Sequence, residues 1–185
     1  IGFLDHSNID LRQSGENERI CLQLLAAIGL PVAKAELATF GTQTVLVVER
    51  FDRRWSGRGD WLMRLPQEDF CQALGVAPAL KYESDGGPGR CDALRLLRGS
   101  QEAGRDRERF FLAQMLFWLL AAIDGHAKNF SLFLEPGSAY RMTPLYDVIS
   151  AYPLMAQGSL PRERAKMAMA VKGKSRHYRW ARIEP

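Results

Sequence analysis

The apolar run from Phe110 to Ile123 constrains the fold more than any other part of the chain. It is too short to span a bilayer core and too apolar for a solvated surface, so it predicts a buried helix over 106–123. Phe111, Met115, Trp118 and Leu119 recur at helical spacing and are expected to form its core face. Directly behind it comes Asp124-Gly-His-Ala-Lys-Asn129, and then the apolar, β-prone FSLFL. A polar hexapeptide trapped between two core-forming segments is either a bare turn or the floor of an active site.

The remaining pattern supplies elements around that helix. Residues 13–30 predict a helix, with Ser14 as N-cap, Glu16 and Glu18 in the first turn, and Gly29 and Pro31 ending it. Leu22, Leu25, Ala26 and Gly29 give it one apolar face. AELATFGTQTVLVVERF predicts two strands joined at Gly41-Thr42, the second rich in β-branched residues. DRRWSGRGDWLMRL is a polar connection with hairpin character. A short helix is expected between Pro66 and Gly75, and another at 91–97. KYESDGGPGR must be a loop, because Gly86, Gly87, Pro88 and Gly89 cannot hold regular structure. Glu135-Pro-Gly-Ser138 turns FSLFL back into AYRMTP.

Composition narrows the class. A hydrophobic content of 46% with 25% charged residues suits a folded globular chain. Cys21, Cys71 and Cys91 are widely spaced, which disfavours a disulfide framework or a zinc site and suits a reducing cytoplasm. The net charge of +4 is concentrated in 161–183, where Lys and Arg face Glu163 alone. Such a stretch is either a solvated surface or a site for nucleic acid, phosphate or an acidic partner.

Three oxygen-bearing side chains stand out. Asp124 sits at the rim of the long helix, Asn129 precedes a strand, and Asp147 follows the hairpin in LYDVI. A hairpin brings its ends together, so Asn129 and Asp147 should meet. Taken singly, each is most simply a turn or cap residue. Together they form the oxygen set that a hard cation such as Mg²⁺ takes beside substrate phosphates, with a third group free to accept a proton. Protein kinases use the same interval in H-R-D-x-x-x-x-N, then a hairpin and a second metal-binding Asp. No His-Arg precedes Asp124, and no Gly follows Asp147.

VERFDRRW, RLPQEDFCQALG, KYESDGGPG, DGHAKNFS and TPLYDVISAYP together resemble the HipA family of bacterial serine/threonine kinase toxins. The resemblance implies an α+β, protein-kinase-like bilobal fold, with an N-lobe remnant over 1–50 and a helical C-lobe over 51–185. By the same resemblance Asp124 is the base for a substrate hydroxyl, and Asn129 and Asp147 hold the Mg²⁺ ions that bridge ATP phosphates. Glu49 and Phe51 match the interlobe hinge that binds adenine. His126 and Lys128 contact phosphate or order the loop, and Glu18 takes the place of the glutamate that orients an ATP-binding lysine. The glycine-rich KYESDGGPG either shapes the substrate groove or is a plain surface loop. The partners implied are a HipB-like helix-turn-helix antitoxin of a type II toxin–antitoxin pair, operator DNA through that antitoxin, and a translation component such as glutamyl-tRNA synthetase as target.

No G-x-G-x-x-G and no V-A-I-K-like strand is found, and the chain opens at Ile1 without methionine, so a fragment of a longer kinase is expected. A catalytically inactive fragment or pseudokinase that binds nucleotide or antitoxin is the alternative. A metal-dependent phosphohydrolase built on Asp124, His126 and Asp147 is a third reading.

Overall fold

The computed structural model describes residues 13–170. Of the basic stretch, everything beyond residue 170 lies outside the described residues.

Helix α1 (Ser14–Ala27) is followed by the hairpin β1 (Ala35–Phe40) and β2 (Gln43–Val48), paired from Ala35↔Val48 to Phe40↔Gln43. The expected turn at Gly41-Thr42 is present. A second hairpin, β3 (Arg53–Trp55) with β4 (Leu62–Arg64), occupies the polar connection. Next come β5 (Gln67–Asp69), α2 (Phe70–Ala73), α3 (Arg90–Leu96) and the long α4 (Ala103–Leu119). Strands β6 (Ser131–Glu135) and β7 (Ala139–Met142) join β5 in an antiparallel sheet of order β5-β6-β7, and α5 (Tyr152–Ala156) is followed by a single 3₁₀ turn at Arg162–Arg164.

One hydrophobic core unites α1 with the helices α2, α3 and α4 and the strands β6 and β7. Cys21, Leu22 and Leu25 of α1 are buried in the same cluster as Phe70, Leu97, Phe110, Phe117 and Phe130. Phe130 is its centre: its ring lies 5.0 Å from Phe110, 5.6 Å from Phe70 and 5.7 Å from Phe117. Such offset and edge-on pairs add to the area they bury. Because Phe130 follows Asn129, the cluster is also the floor beneath the polar hexapeptide.

Several expectations are corrected. Ser14 is not the cap of α1; Gln13 is, without a side-chain hydrogen bond. Ala26 and Gly29 are exposed, and the inward face is Cys21, Leu22 and Leu25. The helix is instead anchored at Asn17, which donates to the Ser150 carbonyl at 2.8 Å and accepts from its amide at 3.0 Å. Pro66 does not start a helix, because Gln67–Asp69 pair with β6 and the helix begins only at Phe70. There Asp69 and Gln72 close a reciprocal capping box.

Helix α4 stops at Leu119, four residues before the expected end. Ala121 turns left-handed (φ 50°), with Ala121 N donating to Trp118 O and Ala122 N to Phe117 O. That is a Schellman stop built on alanine instead of glycine. The inward face also differs from the expected one: Phe110, Ala113, Leu116 and Phe117 are buried. Phe111, Met115 and Leu119 are 52%, 49% and 54% exposed, and Trp118 is half-buried against the small Ala121–Ala151–Ala165 cluster. From Phe110 on the helix is apolar nearly all round and offers more than one stripe, and here the neighbouring rings select the one that packs.

Removing the central ring should therefore be costly. Phe130→Ala is expected to lower unfolding free energy by about 3–5 kcal/mol in urea titration, the usual loss for a fully buried phenylalanine. A loss below about 1 kcal/mol, within the ordinary range of surface changes, would show that the cluster closes without it.

Candidate active site

The hexapeptide is held by its own backbone first. His126 N donates to the Asp124 carbonyl at 2.7 Å and to Asn129 Oδ1 at 3.2 Å, and Asn129 N returns a bond to the His126 carbonyl at 2.9 Å. Ala127–Asn129 thereby wind into a single 3₁₀ turn. Gly125 is required by space, since a Cβ there would collide with the Phe117 ring.

Side chains from distant elements then fix the turn. Lys128 Nζ pairs with Asp69 Oδ2 at 2.6 Å, tying the turn to the residue that caps α2. Tyr146 Oη donates to the Lys128 carbonyl at 2.8 Å and shares a 2.5 Å hydrogen bond with Ser131 Oγ. Tyr82 Oη donates to Asp124 Oδ1 at 2.7 Å.

Asn129 and Asp147 meet, as the hairpin geometry requires: Asn129 Nδ2 donates to Asp147 Oδ2 at 2.5 Å. Asp147 has φ 56°, a left-handed conformation that Asp tolerates better than most side chains but that still costs energy. Its segment is held from outside by Leu145, which accepts from Ala33 N at 2.7 Å and donates to the Pro31 carbonyl at 2.9 Å. Glu18 Oε1 accepts the Asp147 amide at 3.2 Å, so the α1 glutamate does reach the site. A cleft between these groups is lined by Phe117, Ala122, Asp124, Gly125, Asp147, Val148 and Ile149.

Electrostatics follow from burial. The Asp124 carboxyl is raised above its ordinary value by desolvation, and the Tyr82 hydrogen bond and the Lys81 charge pull it back down. Desolvation and then the Asp147 charge push Glu18 up to about 7. His126, only 5% exposed, is depressed to about 4 by burial and then by Lys81. Its ring is neutral at ordinary pH and stands edge-on to Tyr82, centroids 5.1 Å apart.

Phe51 packs against Phe133 (5.7 Å) and Tyr146 (5.5 Å), which sets it one ring away from Asp147. Glu49 lies further out, exposed and paired with Lys34 at 3.3 Å; its amide donates to the Lys34 carbonyl. Sequence reasoning passed over Tyr82, Asp69 and Tyr146. Tyr82 lay inside a motif read only for its glycines, and Asp69 was hidden by the helix expected from Pro66.

The donor set fits a hard cation. Asp147 offers a carboxylate lining the cleft, and Mg²⁺ is commonly held by one or two carboxylates plus phosphates. Asn129 stands directly behind it, its Nδ2 on Asp147 Oδ2 and its Oδ1 accepting from His126 N, so its carboxamide oxygen would face a cation only with the group turned over. Among the described residues no group of three or more His, Cys, Asp or Glu side chains converges as a metal site, so the Asp124–His126–Asp147 set of the phosphohydrolase reading is not assembled. No helix among the described residues is long and apolar enough to cross a membrane.

Comparison with known proteins identifies the class: the α+β fold is kinase-like. It superposes on the HipA–HipB–operator DNA complex of Shewanella oneidensis with a TM-score of 0.77, at 26% identity, over 88% of this chain and 39% of that one. The Helicobacter pylori proinflammatory kinase CtkA shares the fold, with a TM-score of 0.55 at 17% identity over 75% of this chain and 46% of that one. The HipA-like C-terminal domain model matches residues 3–185, and the chain belongs to that family. It is 43% identical over 159 residues to the putative kinase Y4mE of Sinorhizobium fredii, covering 84% of this chain and 36% of that protein. It is 35% identical over 145 residues to the serine/threonine-protein kinase toxin HipA of Shewanella oneidensis, covering 72% and 33%. The chain thus spans about a third of the length of these curated relatives.

The buried imidazole has a pH consequence. Unfolded His126 takes up a proton below its free value of 6.5, whereas the folded ring resists until about 4. It therefore contributes stability that is present above 6.5 and lost as pH falls toward 4. His126→Gln is expected to flatten the decline of melting temperature across that window. An unchanged slope would show that the ring is not held neutral.

Proposed function

We propose that the protein acts in ATP- and Mg²⁺-dependent phosphoryl transfer to a serine or threonine hydroxyl of a protein, as a HipA-type kinase. The observation that carries this reading is that Asp147, hydrogen-bonded to Asn129, lines the same cleft as Asp124. Asp124 would accept the substrate hydroxyl's proton as the hydroxyl oxygen bonds to the γ-phosphorus and the bond from that phosphorus to the β-phosphate oxygen breaks, releasing ADP. Its carboxyl, raised by burial yet held by Tyr82, suits an acceptor that must ionise and still be basic. Asn129 and Asp147 would hold the metal, which when bound neutralises charge on the phosphates. Lys128, paired with Asp69, keeps the turn between base and metal ligands rigid. Phe51 and the adjoining backbone toward Glu49 would form the adenine side, with residues to about 50 belonging to the smaller lobe.

The wider setting is part of the proposal: a type II toxin–antitoxin pair in the cytoplasm, a HipB-like antitoxin, operator DNA reached through it, and a translation component such as glutamyl-tRNA synthetase as target. Support comes from the similarity to a HipA in complex with HipB and operator DNA, and to a named kinase toxin. Free Cys21, Cys71 and Cys91 suit a reducing compartment. A second reading, nucleotide binding without transfer, draws on the lack of a G-x-G-x-x-G motif in the sequence.

Calorimetric titration with ATP and Mg²⁺, beside an assay of ADP and protein phosphorylation, separates the readings. Metal-dependent binding weakened at least about tenfold by Asp147→Ala, with transfer to protein, is the expected result. Binding without ADP formation would favour the non-catalytic reading. No metal-dependent binding at all would contradict a nucleotide site here.

A further inference from the structure

The loop that carries KYESDGGPG is joined to the catalytic turn more closely than a surface loop needs to be. Tyr82 Oη donates to Asp124 Oδ1 across 42 residues of sequence. The Tyr82 ring stands edge-on to His126, and Ala127 N donates to the Lys81 carbonyl at 3.4 Å. Hydroxyl, ring and backbone thus meet the turn at three consecutive points: its aspartate, its histidine and its backbone. The loop in turn is fixed behind Tyr82. Gly87 N donates to the Tyr82 carbonyl at 2.9 Å, and a Cβ on Gly87 would run into the Leu80 carbonyl oxygen. Glu83 Oε2 accepts from Ala170 N at 2.5 Å, pinning the next residue from the opposite side.

We propose that Tyr82 is the positioning residue for Asp124, and that the glycine motif serves to deliver its hydroxyl to that carboxylate. Kinases that spell the loop H-R-D have the residues before the aspartate as supports. Asp124 has Ala122 and Ile123 there, side chains without a hydrogen-bonding group. The support instead arrives from a separate segment. A carboxylate at a cleft mouth has several rotamers and neighbours of both signs: Lys81 draws it one way, the Asp147 charge repels it, and His126 Nε2 lies 4.0 Å from Oδ2. A 2.7 Å bond to Oδ1 fixes one oxygen and leaves Oδ2 as the atom available to a substrate hydroxyl.

The inference rests on Asp124 being the base of the proposed kinase, so two independent readouts are needed. Tyr82→Phe removes only the hydroxyl and keeps the ring on His126. In the ¹³C spectrum of aspartate-labelled protein at one fixed neutral pH, the Asp124 carboxyl resonance is expected to move in Tyr82→Phe while those of Asp69 and Asp106 stay. In phosphotransfer, kcat is expected to fall about tenfold or more with KM for ATP unchanged, the pattern of a misplaced acceptor. A general loss of structure would move all three resonances and both kinetic constants, and would overturn the positioning role. So would an unmoved Asp124 resonance, or a moved one with unchanged kcat. If the unsubstituted protein transfers no phosphate, the kinase reading falls, and the Asp124 resonance alone decides whether Tyr82 positions it.

Discussion

Phe130 meets the rings of Phe70, Phe110 and Phe117 at one point, and the next residue back along the chain is Asn129. Core closure and placement of the polar turn are therefore a single event. The hydrophobic term supplies the energy, and these four phenylalanines are the largest of the fully buried side chains. Nothing in that term alone orients a carboxylate. Orientation comes from hydrogen bonds that the packed rings make possible, by setting the start of β6 against the end of α4.

Those bonds link segments far apart in sequence. Lys128 reaches Asp69, Tyr82 reaches Asp124, Asn129 reaches Asp147, and Asn17 of α1 grips Ser150. Each is worth little by itself in water-exposed surroundings. Partly buried and mutually supporting, they make the turn rigid, which is the property the proposed phosphoryl-transfer site would need most. The strained backbone at Asp147 is consistent with that design: Leu145 is gripped by Pro31 and Ala33 on one side, and Glu18 accepts the Asp147 amide on the other. Two half-buried carboxyls near Asp147, Glu18 and Asp124, are raised first by desolvation and further by the Asp147 charge.

Much of this was legible in the sequence. The hairpin β1–β2 follows from the β-branched run of its second strand behind a glycine turn, β6–β7 follows from an apolar run reversed at Glu135-Pro-Gly-Ser138, and the meeting of Asn129 with Asp147 follows from the second hairpin. What was not legible has physical causes. The stop of α4 uses Ala121 in a left-handed conformation, where no glycine or proline announces it. The inward stripe of α4 was misjudged because its apolar half, from Phe110 on, carries little contrast, leaving tertiary neighbours to choose. Asp69 read as a helix interior residue, because Pro66 resembled a helix start while Gln67–Asp69 were claimed by pairing with β6. Tyr82 was overlooked since its partner lies on another segment and local pattern holds no information about it.

The central claim is that Asn129 and Asp147 form a metal–nucleotide site opposite Asp124. Its most direct test is paramagnetic broadening by Mn²⁺ in the presence of a non-hydrolysable ATP analogue, read residue by residue in the amide spectrum of labelled protein. The signals of Asn129 and Asp147 should broaden first, followed by those of Asp124 and Gly125, and excess Mg²⁺ should restore them. Broadening that spares these residues, or that centres on a surface carboxylate such as Asp92, would contradict the account.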